Sequence, residues 1–409
     1  MPNQPDRVRR AVGEHLRSLR QALGWTLDDV VARTARQGVR LSRSTLHRLE
    51  CGRSIIPLDT VAALCRGLGS SLSRIDEIVR SVSIEGEDID LSGVTFEHLQ
   101  ERAKREARRG RFDRVLPLLE AARDWLALHD PSEASASRKS RTLILIADCH
   151  RRLRHYALCL ETAGQVLNLE DCPPTDHFMA LVLHITVGTQ TDDLYRAELY
   201  AARALKMMED ADPKDRAYGC IAIGHLRQKQ GRYDVSESML TKAYDLYHDL
   251  GDASALARTK IILGQTRHLA ERNEDAHALV QQGLATARRS GDLHGIFHGL
   301  AVLAEIDIDK GLYASARAHY DEFSSLARKV GDHTALFLAW HGFWVIARRE
   351  KSTREEERAE RVLKRLLMKV PIGVPEAERF MASLTEEKPG EDQTSPDTDA
   401  RPTDVEKSS

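Results

Sequence analysis

The feature that most constrains the fold of this chain is a Gly-Asp pair that recurs at a fixed distance in its second half. The pairs lie 40 residues apart, at 251–252, 291–292 and 331–332, and Asp212 continues the grid upstream. A second set of turn signals falls between them, at 110–112, 231–233 and 311–313, with weaker copies at 154–156 and 271–273. A period of this length is typical of repeat architectures. It predicts about seven units between residues 96 and 384.

Each unit has the pattern of two helices joined by a short turn. Small residues stand where two helices must approach closely, at Ala147, Gly224, Gly264 and Ala304. The hydrophobic share is 42% and the charged share 30%, without strand-like alternation, which favours an all-α chain. A lone helical hairpin cannot bury its apolar face, so the units are expected to stack into a right-handed α-solenoid.

The charge is distributed unevenly along the chain. The net charge of −2 combines +6 on residues 1–80 with −8 on the remaining 329 residues. An acidic, Gly-containing segment at 81–95 is the predicted linker between a basic and an acidic module. The end of the chain, 385–409, is rich in acids, Pro and Thr and lacks aromatic residues, which predicts a disordered tail.

The basic module, residues 1–80, shows five short helical patterns separated by turn residues. Thr26 and Asp29 stand at capping-box spacing at the start of the second helix, and Ser42 is placed to cap the third. Pro57 opens the fourth helix. The sequence therefore predicts a compact five-helix bundle.

The order LRSLRQALGWTLDDVV, SRSTLHRLECGRS, Pro57 and LCRGLG resembles the lambda-repressor-like, or XRE, helix-turn-helix domains. The resemblance covers about 70 residues of the 409. It implies that the helix at 42–50 enters the major groove of double-stranded operator DNA. Arg43 is the leading candidate for a base contact, because a guanidinium fork on guanine is the commonest specific contact. The candidate DNA-binding residues are Arg40, Ser42, Arg43, Ser44, Thr45, His47 and Arg48.

Other interpretations of these residues stay open. Arg43 and His47 could form an ordinary solvated helix face, and Arg48 could pair with Glu50 or with another acid of the bundle instead of DNA. The sequence also departs from the family: Leu27 stands where Gln usually helps to hold a phosphate, and the turn ARQGVRL is longer than usual.

The repeats resemble tetratricopeptide repeats (TPR) in a degenerate, lengthened form, giving about seven TPR-like helical hairpins. In that family the first helix of each hairpin lines a concave groove. The inward positions carried over from the resemblance are the candidate ligand-binding residues: Tyr218, His225, Gln228, Arg258, Gln265, His268, His298, Glu305, Asp309, His341 and Arg348. They are mostly polar, which fits a recognition surface, although solvated solenoid faces are polar too.

A helix-turn-helix module joined to such a solenoid resembles the Rgg and PlcR type of peptide-responsive bacterial regulators used in quorum sensing. The resemblance implies a homodimer whose solenoid binds a signalling peptide or small-molecule effector. Those receptors use groove asparagines, whereas this chain has only Asn3, Asn168 and Asn273, so Gln228 and Gln265 are the candidate substitutes. The alternative is a TPR scaffold that docks a protein partner, with the basic module tethering it to DNA or acting as an antitoxin-like element.

Other function classes find little support. No Walker loop, GxGxxG after a strand, GxSxG or HExxH is present, so we expect no enzyme and no cofactor. His294 and His298 have a metal-compatible spacing but no accompanying ligand pattern, so no metal is expected, and the six scattered cysteines predict reduced thiols. The absence of a signal peptide or long apolar run predicts a cytoplasmic protein with no membrane contact.

Overall fold

A computed structural model of the protein describes residues 4–55, 57–70, 72–83, 93–108, 110–129, 136–370 and 374–386. Within these residues the regular structure is helical, with twenty α-helices and a short 3-10 turn at Met208–Asp210. The all-α prediction is confirmed. The chain divides into two compact units, residues 1–302 and 303–409.

The first five helices form the bundle expected for residues 1–80. They are α1 (Gln4–Ala22), α2 (Leu27–Ala35), α3 (Arg43–Glu50), α4 (Leu58–Leu68) and α5 (Leu72–Ser83). The core of the bundle is apolar and includes Val12, Leu16, Leu46, Leu49 and Leu64, all buried. α5 reaches Ser83, so the first residues of the segment 81–95 are helical, and 84–92 lie outside the described residues.

The helix starts in this bundle follow the capping chemistry of the sequence. Thr26 accepts the backbone N–H of Asp29, and the Asp29 carboxylate in turn accepts the backbone N–H of Thr26 at 2.8 Å, which completes the capping box. Ser42 Oγ accepts the N–H of Thr45 at 3.1 Å at the start of α3. These local bonds satisfy amide groups that have no partner within the helix.

Fifteen further helices follow, and fourteen of them form seven consecutive hairpins in chain order. The hairpins are α6 (Phe96–Arg108) with α7 (Phe112–His129), α8 (Ala136–Arg152) with α9 (Tyr156–Leu167), α10 (Pro174–Gln190) with α11 (Leu194–Met207), α12 (Pro213–Lys229) with α13 (Tyr233–Asp249), α14 (Ala253–Leu269) with α15 (Asn273–Ser290), α16 (Leu293–Asp309) with α17 (Tyr313–Val330), and α18 (His333–Arg349) with α19 (Thr353–Leu367). The division between the two units falls within α16.

The repeat period comes from two kinds of turn. Between hairpins, Gly251, Gly291 and Gly331 adopt φ values of 66°, 69° and 74°, a left-handed conformation that glycine reaches without strain. The following Asp252 and Asp332 cap the next helix with their side chains. Within hairpins, a left-handed residue recurs at the same place in all seven, at Gly110, Arg154, Asp192, Gly231, Glu271, Gly311 and Lys351.

Small residues allow the two helices of a hairpin to approach closely, as predicted. A Cβ added at Gly264 would lie 2.4 Å from Val280 Cγ2, and one added at Gly224 would lie 3.0 Å from Leu240 Cγ. Ala147 and Ala304 are fully buried. Side-chain volume at these positions therefore limits how tightly each hairpin closes.

The last described helix of the second unit is α20 (Pro375–Glu386), which packs its buried Ala377 and Phe380 against α18. The predicted acidic tail begins within this helix, and its residues 387–409 lie outside the described part of the chain. All six cysteines are free thiols, and Cys65, Cys149, Cys159 and Cys220 are buried. Among the described helices, none has both the length and the apolar character of a bilayer span.

Candidate nucleic-acid interface and ligand groove

The amino terminus of α3 carries a cluster of hydroxyl groups. Ser42 Oγ lies 2.9 Å from Ser44 Oγ and 2.8 Å from Thr45 Oγ1. Ser42 and Ser44 are exposed, whereas Thr45 is half-buried and serves the cap. A helix amino terminus with free donors nearby suits a phosphate group, because the helix dipole favours negative charge there.

The long side chains of α3 that were predicted to contact DNA lie on its outer face. Arg43 is 70% exposed, and its NH1 lies 3.7 Å from the equally open carboxylate of Asp28 in α2. An exposed pair of this kind contributes at most about 1 kcal/mol, so Arg43 can exchange it for a base edge. His47 and Arg48 are also exposed, and His47 Nε2 lies 3.8 Å from the Cys51 thiol.

The inner face of α3 is fixed to α1. Leu46 and Leu49 are buried in the bundle core, and Glu50 is only 2% exposed. Glu50 accepts two hydrogen bonds from Arg20, at 2.6 and 2.8 Å, and Arg20 NH1 also donates to the Trp25 carbonyl at 3.0 Å. The pairing of Arg48 with Glu50 that the sequence left open is therefore not formed, because Arg20 occupies this carboxylate.

The two departures from the family pattern have structural explanations. Leu27 packs against the apolar core of the bundle, so its side chain supports α2 from inside instead of holding a phosphate. The long turn between α2 and α3 contains Gly38 with φ +84°, and Val39 N–H donates to the Thr34 carbonyl at 3.1 Å. Arg40 follows in this turn and is exposed.

Sequence reasoning missed a second charged surface in the bundle, where bases and acids are equal in number. A cleft of about 430 Å³ between α1 and the end of α3 is lined by Arg10, Arg17 and Arg53 together with three acids, one of which is Glu50. Arg10 and Arg53 are exposed. The Gly-Arg pair that follows α3 could have indicated this cleft. Its Gly52 has φ +66° and packs against the backbone of α1.

The groove positions predicted for the first unit fall on the first helices of successive hairpins. Tyr218, Arg258 and His298 lie 40 residues apart, at the same repeat position in α12, α14 and α16. His225 and Gln265 form the next layer, six residues before the left-handed turn residues 231 and 271. All five side chains are partly exposed.

Three histidines come together in this unit. Burial, together with the neighbouring His294 and His225, lowers the pKa of His298 to about 3. Burial also lowers the pKa of His225, although its hydrogen bond with Gln228 acts in the opposite direction. Gln228 Nε2 donates to Thr266 Oγ1 at 3.2 Å, which ties α12 to α14. These imidazoles are neutral at pH 7, so each offers one donor and one acceptor.

A charged group on α8 was not predicted and lies close to the same positions. Asp148 accepts hydrogen bonds from Arg151 NH2 at 2.6 Å and from Arg152 Nε at 2.7 Å. Burial raises the pKa of Tyr218 on α12, and the charge of Arg151 opposes that shift. The repeat spacing could have indicated this position. Asp148 precedes the left-handed Arg154 by six residues, as His225 precedes the left-handed Gly231.

The second unit contains four of the other predicted ligand residues: Glu305, Asp309, His341 and Arg348. Arg348 stacks over the Trp344 ring at 4.8 Å, and its Nε lies 3.4 Å from Glu356. His341 lies 5.4 Å from the same ring, and burial lowers its pKa to about 4. Glu305 is exposed on α16, with Tyr320 near it. His268, in the first unit, is partly exposed near the end of α14.

Two domain families match the chain. A helix-turn-helix domain model matches residues 11–78, and a tetratricopeptide repeat model matches residues 216–289. The chain is a helix-turn-helix protein with tetratricopeptide repeats. Neither family description is that of an enzyme. Among curated proteins no sequence matches this helix-turn-helix TPR protein.

Solved structures of low sequence identity share its fold. A Rap protein complexed with competence and sporulation factor is 11% identical, with 87% of this chain and 98% of that chain covered at a TM-score of 0.55. The Rap conjugation gene regulator of the plasmid pLS20, in complex with a Phr peptide, is 13% identical, with 92% and 97% covered at a TM-score of 0.50. At these identities the likeness concerns the fold, and the TPR-like solenoid prediction is confirmed.

Proposed function

We propose that this helix-turn-helix TPR protein is a transcriptional regulator that binds operator DNA through α3. The observation that carries the proposal is the outer face of α3, where Arg43, His47 and Arg48 stand exposed beside the Ser42 cap while the inner face is locked into the bundle. A recognition helix needs this combination, because base contacts require long free donors on a rigid support.

The charges of the module support the same function. Residues 1–80 carry a surplus of +6, and the hydroxyl cluster at Ser42 and Ser44 lies at a helix amino terminus. Phosphate contacts position a protein on DNA, and base contacts supply the specificity. Arg40, Ser42, Ser44 and Thr45 belong to the first class in this proposal, and Arg43, His47 and Arg48 to the second.

The proposed role of the repeats is sensing and dimerisation. The polar side chains of α12, α14 and α16, from Tyr218 to His298, bind a short signalling peptide or small effector in the cytoplasm. Neutral imidazoles and the amides Gln228 and Gln265 suit the backbone of a peptide, since both pair with N–H and C=O groups. A homodimer would present two α3 helices to half-sites about one turn of DNA apart.

The decisive experiment is capture of genomic DNA by the full-length protein, followed by affinity measurements on the recovered duplex. Arg43→Ala is expected to cost about 1–3 kcal/mol on that duplex and to relax preference at one base pair. Arg289→Ala is the control, because Arg289 is also exposed but lies on α15. Equal losses on captured and random duplex would make Arg43 a phosphate contact, and no loss would refute the assignment of α3.

The sensing role has a separate test. His225→Ala combined with Gln265→Ala should leave basal DNA binding intact and abolish the shift in DNA affinity that cell extract containing the effector produces. The coupling between effector and operator must be reciprocal, and about 1–3 kcal/mol is usual. A double variant that keeps the full response would place the effector elsewhere. Light scattering on the protein–DNA complex tests the dimer, which a monomer on a palindromic duplex would exclude.

A further inference from the structure

The last helix of the DNA-reading module is shared between two neighbours. α5 packs one side against α1 and α4 within the bundle, and it also contacts α9 of the second helical hairpin. Leu158 of α9 packs against the apolar core cluster of the bundle, beside the half-buried Val79 and Val82 of α5. The module is therefore joined to the repeats by side-chain packing as well as by the chain itself.

Glu77 of α5 caps the amino terminus of α9. It is only 7% exposed, and its two carboxylate oxygens accept the backbone N–H groups of Ala157 at 3.2 Å and Leu158 at 3.0 Å. The first amides of a helix have no partner within the helix, and a carboxylate at that end also meets the positive end of the dipole. His155, the residue that precedes α9, makes no side-chain cap. The cap that α9 needs comes from another domain.

A buried arginine extends this contact. Arg74 is 7% exposed, one turn before Glu77 on α5, and its NH1 lies 3.7 Å from the Glu77 carboxylate. Its NH2 pairs with Glu161 on α9. Arg74 thus lies between two acids, the carboxylate of α5 that caps α9 and the more exposed Glu161 of α9, and its charge offsets that of the buried cap.

A tight turn joins the capped amides to the end of α8. Arg151, at the end of α8, donates to Asp148 at 2.6 Å, and α9 begins at Tyr156, two residues after the left-handed Arg154. The charged end of α8 and the capped start of α9 are therefore separated by one tight turn.

We propose that Glu77 is the positioning residue that fixes the DNA-reading module on the second hairpin. The DNA part of this proposal rests on the proposed function, whereas the cap itself does not. The contact leaves α3 free, since Arg43 is 70% exposed. The cap therefore sets the orientation of the module and does not block its reading face.

The cap is tested first without DNA. Glu77→Ala should make the amides of Ala157 and Leu158 exchange hydrogen about three- to thirtyfold faster, which is the factor expected when an N-cap is lost. Amides in the middle of α12 should not change. Glu77→Gln, which keeps the shape and one acceptor, should give a smaller effect and covers the case in which the alanine variant folds poorly. Glu97→Ala, an exposed acid on α6, is the control. Unchanged exchange at residues 157 and 158 in both Glu77 variants would overturn the proposal.

The positioning role is tested on captured genomic duplexes that contain one or two half-sites. A fixed module keeps the second half-site at a high effective concentration, so loosening it should weaken two-site binding about tenfold or more. Binding to a single half-site should stay the same, because α3 is untouched. If Glu77 has only a structural role, its substitution should weaken binding to the one-site and the two-site duplex in parallel. The positioning role is also refuted if the wild-type protein and the variants bind both duplexes with equal affinity. If neither the wild-type protein nor the variants bind captured DNA, the proposed function is refuted. The hydrogen-exchange experiment still decides whether Glu77 caps α9.

Discussion

Removal of Arg20 tests how firmly the reading helix is held. Arg20→Met deletes the guanidinium that donates two hydrogen bonds to the buried Glu50 carboxylate, at 2.6 and 2.8 Å, and one to the Trp25 carbonyl at 3.0 Å. Methionine keeps most of the apolar stem and its packing. The carboxylate left behind is 2% exposed and cannot recover its hydration.

The expected loss follows from this burial. Breaking a buried ion pair by removing one partner costs about 3–5 kcal/mol, because the other charge stays buried without compensation. Arg17 Nε lies 3.9 Å from the same carboxylate and offers a weak replacement, which favours the lower end of the range. A module of 80 residues has a total stability of about 4–12 kcal/mol, so the substitution should remove a large share of it.

Native-state hydrogen exchange measures this loss locally, which matters because a chain of several units does not unfold in two states. The amides of α3 should exchange roughly a hundredfold faster in Arg20→Met, since each 1.4 kcal/mol is about a factor of ten. Amides of α12 should be unaffected. Lys104→Met removes the exposed pair with Glu101 and is the control, with an expected cost below about 1 kcal/mol.

A second substitution separates charge burial from lost packing. Adding Glu50→Leu to Arg20→Met replaces the ion pair by apolar side chains, and such replacements are often neutral or stabilising. The double variant should therefore recover most of the protection of α3. A cost below about 1 kcal/mol for Arg20→Met alone, or a double variant less stable than the single one, would refute the inference that the buried Glu50 charge depends on Arg20.

Three further predictions concern the repeats. Glu271→Gly should raise the melting temperature, because a non-glycine residue at φ +61° costs roughly 1 kcal/mol, and an unchanged melting temperature would count against that strain. Gly264→Ala should lower the stability by about 1–3 kcal/mol in urea unfolding, since its Cβ would lie 2.4 Å from Val280 Cγ2; a neutral effect would mean that α14 and α15 can separate freely. Burial lowers the pKa of His184 from 6.5 to about 4, so stability present above pH 6.5 should fall by about 3 kcal/mol as the pH drops toward 4. His184→Phe should flatten that part of the pH profile, and a profile identical to wild type would exclude His184 as its source.

The repeat architecture could be predicted because its signals are local. Gly231 and Gly251 mark turns that need a left-handed residue, and Asp252 caps the helix that follows. The same turn geometry at Glu271 and Lys351 is held by residues that give no such signal. Tertiary packing imposes the conformation there, so the weaker repeats become visible only through their spacing from the stronger ones.

The partners of the candidate site residues were harder to predict than their exposure. The outer face of α3 follows from its helical period, and Arg43 and His47 lie where that period places them. The partner of Glu50 is Arg20, 30 residues away on another helix, instead of the nearby Arg48. Sequence neighbours are the natural candidates for an ion pair, yet a buried carboxylate is satisfied by whichever donor the fold brings to it.

The same limit explains why the contact between the module and the repeats left no mark in the sequence. The second helices α9, α13, α15, α17 and α19 all begin without a side-chain cap of their own. Each leaves orphan amides at its start, so the repeats present a similar electropositive end several times over. Glu77 meets this end at α9 because it is a buried acid of α5 next to the core residue Ile78, and the nearby Arg74 pairs with Glu161. The choice of hairpin therefore depends on one pair of residues in α5, and exchanging their charges should release the module from α9 without offering it another hairpin.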